Sequence, residues 1–201
     1  MDLEVEPRRL RFRAPIVTAY ATYEERELLV VRVRDGDGLT GLGEAAPLEP
    51  FDGVSVEAVR AEVEGCRDVL AAGGEPARLR SACRRACSLP HAAAALDESA
   101  REPGALAAAA ADAVCLRVGA CGGVTAVLRD AATARAAGAD VYLASTFDGP
   151  IGVAAGLHAA AALGVARPCG LATLPLFTGV ADPFPVQRGT IHLPDAPGLG
   201  Y

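Results

Sequence analysis

The 201-residue sequence contains no lysine, no tryptophan and a single methionine. All 19 basic residues are therefore arginine. A lysine general base, a lysine Schiff base and a phosphate-loop lysine are excluded together. Aromatic residues make up only 4% of a chain that is 51% hydrophobic and dominated by alanine. Its interior must then be built from small side chains brought close together. There is no basic run and the formal net charge is −6, which speaks against a nucleic-acid partner. Residues 149–166 are nearly uncharged but rich in alanine and glycine and include His158, so they read as a buried helix and no membrane contact is expected. The acidic start Met1-Asp2-Leu3-Glu4 lacks a signal-peptide pattern, and the six cysteines form no C-x-x-C pair. A cytoplasmic protein with reduced thiols is expected. Cys83, Cys87 and His91 follow at helical-turn spacing, but Pro90 interrupts them, which favours ordinary thiols over a metal site.

What is present has two rhythms. Leu10 and Phe12 alternate with Arg9, Arg11 and Arg13, and residues 27–34 form a stronger strand pattern. Asp35-Gly36-Asp37-Gly38 reads as a reversing turn, with residues 39–44 as the returning strand. A loop over 47–53 leads to Ser55, which is placed to cap a helix over 56–72. From Ser88 onward, short apolar strands alternate with alanine-rich helices. Strands are expected at 91–96, 113–118 and 140–144, and helices at 103–111, up to Ala137 and up to Leu163. Such alternation indicates parallel β/α units with right-handed crossovers. The proline-rich tail from Arg167 has no clear helix.

In units of this kind, chemistry sits on the loops that follow the strand ends. Asp97 leaves a strand end as a carboxylate ligand for a hard cation would, or else it caps the next helix. Arg117 would project into the same mouth, as a substrate contact or as the ion-pair partner of Asp97 or Glu98. Gly119, Gly122 and Gly123 suit either an anion cradle on a helix N-terminus or a tight strand-to-helix turn.

Two stretches together resemble the enolase superfamily, and within it the o-succinylbenzoate synthases of menaquinone biosynthesis. Gly41-Leu42-Gly43-Glu44-Ala45-Ala46-Pro47 is similar to the capping-domain strand and loop of that family. Ala95-Leu96-Asp97-Glu98-Ser99, then Cys115-Leu116-Arg117 with Gly122-Gly123, then Ser145-Thr146-Phe147-Asp148-Gly149 resemble three consecutive barrel strands in family order. The resemblance implies an α/β chain, with an α+β capping domain over a modified TIM barrel. It also implies magnesium held by three carboxylates, and two lysines acting as acid and base in a lyase reaction. Asp97 falls at the third metal position, and Arg117 stands where the second lysine is expected. Thr18, Phe51, Ser145 and Asp148 fall at substrate-facing positions.

A complete eightfold barrel needs about 250 residues. The chain therefore looks like a family member with an incomplete TIM barrel of three to four βα units. The expected division is a capping domain with a three-stranded antiparallel sheet over 1–87, a partial β/α barrel over 88–166 and a tail over 167–201 that packs back on the capping domain. One carboxylate holds magnesium poorly, and arginine is a poor general base. Two readings follow: a non-catalytic module that binds a small carboxylate or a subunit, or the product of a gene with an internal deletion. Exposed barrel edges would favour a homo-oligomer.

Overall fold

A computed structural model describes residues 1–19, 21–38, 40–74, 79, 82–83, 86–89, 91–92 and 113–200. Strands β1 (Asp2–Val17), β2 (Thr22–Arg34) and β3 (Thr40–Ala45) form an antiparallel meander. Thr18 closes the first turn, its Oγ1 donating to the carbonyl of Ala21 at 2.9 Å. At the second turn the Asp35 carboxylate accepts from the Asp37 amide at 2.9 Å, and Gly38 takes a φ of 86° that a side chain would disfavour.

The run Leu28-Leu29-Val30-Val31 is buried on both faces of the sheet. Leu29 and Val31 pack with Leu3 against helix α2 (Val56–Gly65) and helix α3 (Arg67–Ala71). Leu28 and Val30 pack with Leu10 and Phe12 on the opposite side. Ser55 caps α2, its Oγ accepting from the Ala58 amide at 3.2 Å. The single helix expected over 56–72 is broken at Cys66. Gly65 weakens helix propensity there, and the Cys66 side chain turns inward into the core. A one-turn helix α1 (Glu49–Asp52) precedes α2 within the expected loop.

His91 and Ala92 are helical, where a strand over 91–96 was expected. The alanine run that follows His91 has helix propensity and no β-branched residue to favour a strand. The remainder of that strand, with Asp97 and Glu98, and the helix expected over 103–111 lie outside the described residues.

The second half is parallel. Strand β4 (Ala113–Leu116) pairs in parallel with β5 (Asp140–Leu143), and Ala144 bridges onward to Gly170. A one-turn helix α4 (Val118–Cys121) occupies part of the glycine-rich loop, which then runs through Gly122 (φ 89°) and Gly123 (φ 111°) into α5 (Val124–Ala136). Helix α6 (Pro150–Leu163) follows β5. Val127, Ala131, Val141, Leu143 and Val153 form the core of this half, closed by Leu171 and Leu174 of the tail.

Strand β6 (Phe177–Thr178), from the tail, pairs with β1 at Phe12 and Arg11. The cap sheet therefore has four strands in the order β3-β2-β1-β6, rather than three. Stacking of Phe177 on Phe12, with ring centroids 4.6 Å apart, explains the added strand. The whole is a mixed α/β chain carrying part of a parallel β/α unit beside a cap sheet.

Candidate functional site

Where the cap sheet meets α6, the structure buries a charged cluster. Arg26 of β2 is 3% exposed and lies on the same side of the strand as Leu28 and Val30. Its guanidinium donates to the carbonyls of Ala46 and Pro47 at the exit of β3, to Glu27 O at 3.1 Å and to Thr146 O at 3.3 Å. One side chain thus ties two cap strands to the loop after β5. Burial lowers the Arg26 pKa, opposed by Asp148, Glu44 and Asp52.

Glu44 of β3 reaches across to the start of α6, where its Oε1 accepts from the Gly149 amide at 2.7 Å. A carboxyl group here completes the unsatisfied amides of a helix N-terminus. A Cβ on Gly149 or Gly152 would come within 2.5 Å and 2.8 Å of the Glu44 oxygens, so the glycines make this approach possible. Burial and the neighbouring Asp148 push the Glu44 pKa up to about 8, against the backbone amides of Gly149 and Gly152 and the charge of Arg26.

The loop after β5 is cross-braced. The Asp148 amide donates to Ser145 Oγ at 2.8 Å, and Asp148 Oδ2 accepts from the Thr146 amide at 3.2 Å. Ser145 Oγ and Thr173 Oγ1 lie 3.1 Å apart. Between them Phe147 takes a φ of 59°, a cost offset by its edge-on contact with Phe12 at 5.4 Å.

A second junction forms around α1. Asp52 accepts from the amides of Leu48 at 2.7 Å and Val54 at 2.9 Å, and His91 Nε2 lies 3.0 Å from Asp52 Oδ2. Burial lowers the His91 pKa, against the opposing effect of Asp52 and Asp148. His91 Nδ1 is buried, faces Gly119 and has no partner among the described residues. Beside this pair, the Arg117 guanidinium stands 5.4 Å over the ring of Phe51, which is 42% exposed.

Of the residues singled out from the sequence, Arg117 and Phe51 meet across the cap–barrel seam. Ser145 and Asp148 share one braced loop, and Thr18 hydrogen-bonds within its own turn. Asp97 lies outside the described residues. Among the described residues, no three histidine, cysteine or carboxylate side chains gather as a metal site, so these residues do not by themselves form the three-carboxylate magnesium centre. Arg26 and Asp52 were missed, and His91 was weighed only as a metal ligand beside Cys83 and Cys87. The signal for Arg26 was parity, an arginine placed in step with Leu28 and Val30. A cavity of about 510 Å³ opens between the edge strand and the helices, lined by Val33, Leu42, Val118, Val124 and Ile151, with Glu44 at its wall. No helix among the described residues is long and apolar enough to cross a membrane.

Comparison with known proteins adds three findings. The family model for the mandelate racemase/muconate lactonizing enzyme N-terminal domain matches residues 2–141, and that for the enolase C-terminal domain-like fold matches residues 95–201. The L-Lys-D/L-Arg epimerase of Methylococcus capsulatus is 34% identical over 100 residues, which is 48% of this chain but only 28% of the epimerase. Among solved structures, a dipeptide epimerase of the same organism, complexed with Mg and the dipeptide L-Arg-D-Lys, superposes with a TM-score of 0.86 at 18% identity, over 99% of this chain and 98% of the other. An N-succinyl Arg/Lys racemase from Bacillus cereus gives 0.82 at 15% identity, over 98% and 94%.

Proposed function

Because the chain belongs to the mandelate racemase/muconate lactonizing enzyme family of the enolase superfamily and yet carries no lysine, we propose that it binds a small carboxylate at the cap–barrel seam without turning it over. The observation that carries this reading is the Arg117 guanidinium, held over Phe51 where the two halves meet. A stacked guanidinium offers paired N–H donors that match a carboxylate. A delocalised guanidinium has no free lone pair with which to take a proton, so it suits anchoring an anion and not general-base work.

The ligand class is a dipeptide or an N-acyl amino acid, the classes that the names of the matched epimerases and racemase carry. The narrower expectation of o-succinylbenzoate synthesis is a competing reading, and its product, a dicarboxylate, would suit the same guanidinium. Calorimetric titration with L-Arg-D-Lys, N-succinyl-arginine and o-succinylbenzoate separates them. At least one ligand should bind, and Arg117→Gln should weaken it about tenfold, as loss of a charge-assisted pair requires. Binding by none of the three would overturn the proposal. So would exchange of the ligand α-proton with deuterated water in the presence of magnesium, because that exchange requires a working base.

A further inference from the structure

Three thiols gather on the helix-covered face of the cap sheet. Cys66 sits at the break between α2 and α3. Its Sγ lies 3.7 Å from Cys87 Sγ and 3.8 Å from the Cys83 carbonyl oxygen. Cys66 and Cys83 are buried, whereas Cys87 is half-buried. The Cys87 amide closes a helical turn onto Cys83 O at 3.0 Å, and Cys87, Ser88 and Leu89 are themselves non-helical. There Glu62 of α2 holds the amides of Ser88 at 3.1 Å and Leu89 at 2.7 Å. The two sulfurs are thus brought together by α2 from both sides. Roughly 1.7 Å of approach separates them from the bond length of a disulfide, a distance that side-chain rotation at a residue outside a helix can supply.

We propose that Cys66 and Cys87 are a site of reversible oxidation by low-molecular-weight disulfides, with Cys87 as the entry thiol and Cys66 as the resolving thiol. Cys87 loses its proton to water and attacks one sulfur of the small disulfide. That S–S bond breaks, one small thiolate leaves, and a mixed disulfide remains on Cys87. Cys66, deprotonated in turn, attacks the Cys87 sulfur and expels the second small thiolate. Two cysteines are oxidised by two electrons, one small disulfide is reduced to two thiols, and the protons released are taken up by those thiols. Cys83 is the bystander, because it is buried and held in the helical turn that Cys87 ends. Burial raises all three thiols, Cys66 to about 11 and Cys83 to about 12, so the reaction is slow at neutral pH and accelerates as thiolate forms.

The sequence makes the test clean. Trypsin cuts after Arg60, Arg67, Arg80, Arg84, Arg85 and Arg101, which puts Cys66, Cys83 and Cys87 on three separate peptides. Native protein incubated with oxidised glutathione should yield the Cys66–Cys87 linked peptide pair. The link should be reversed by dithiothreitol and should form about tenfold faster per pH unit between roughly pH 7 and 9. Cys83→Ser should keep the link, and Cys66→Ser should strand glutathione on Cys87. The linked protein should melt roughly 5 °C higher, since the closed loop restricts the unfolded chain. A Cys66–Cys83 link, a stable glutathione adduct on Cys87 of the unsubstituted protein, or full alkylation of all three thiols after treatment would overturn the proposal.

Discussion

The two faces of the cap sheet are made from alternate residues of the same strands, yet they bury different chemistry. Leu3, Leu29 and Val31 meet Val59, Val63 and Leu70 in an apolar layer that also takes in the side chains of Cys66 and Cys83. One residue out of phase, Leu10, Phe12, Leu28 and Val30 meet Ile151 and Phe177 beside Arg26, Glu44 and Asp148. The β2–β3 register shows the switch directly, since Ala45 pairs with Leu29 and Glu44 with Val30. An apolar layer tolerates any close-packed partner of the right volume. The charged face is directional instead: Arg26 joins three cap carbonyls to Thr146 O, and Glu44 accepts from the Gly149 amide, so two polar links tie the barrel portion to the cap.

Arg26→Leu should break this contrast most severely. It strips four carbonyls of their donor and leaves Asp148 buried without its compensating cation, at a cost of about 3–5 kcal/mol in urea unfolding. A loss below about 1 kcal/mol would show that the charged face is no more selective than the apolar one. On the other face, Leu29→Ala should cost about 2–4 kcal/mol through lost burial and the cavity left behind, with no change in pH dependence. Glu44→Gln should give the smallest change near pH 5 and sharpen the comparison by its sign. The folded state holds the Glu44 proton up to about pH 8, whereas the unfolded chain releases it near 4.5. The native protein therefore loses stability as pH rises through that window, at up to about 1.4 kcal/mol per unit. The glutamine variant lacks this loss, so its melting temperature should exceed that of the unsubstituted protein at pH 8. An equal slope in both proteins would show that Glu44 is ionised in the fold.

Much of the cap was legible because its signals are local. The Asp35–Gly38 turn, the Ser55 cap and the alternation in β1 each depend on a few neighbouring residues, and each is found in place. The break at Cys66 was not legible, because it is decided by what lies under the helix. Nor was the pairing of β6, which depends on Phe177 finding Phe12 across most of the chain. For the site, Arg117 was named from its place at a strand end and Phe51, Ser145 and Asp148 from motif resemblance, and the structure brings the four together in two pairs. Asp52 escaped because an acid in a short loop carries no periodicity, and His91 was weighed only against Cys83 and Cys87, on its own segment. Their pairing exists only once α1 has folded against the segment carrying His91.

The two residues of β6 also impose an order of events. Until Phe177 and Thr178 arrive, the outer backbone edge of β1 is unpaired and Phe12 lacks its stacking partner. During synthesis, then, the cap's first three strands are made well before the segment that covers β1 at Arg11 and Phe12. The short strand β6 thus acts as a fastener between the tail and the outer edge of β1.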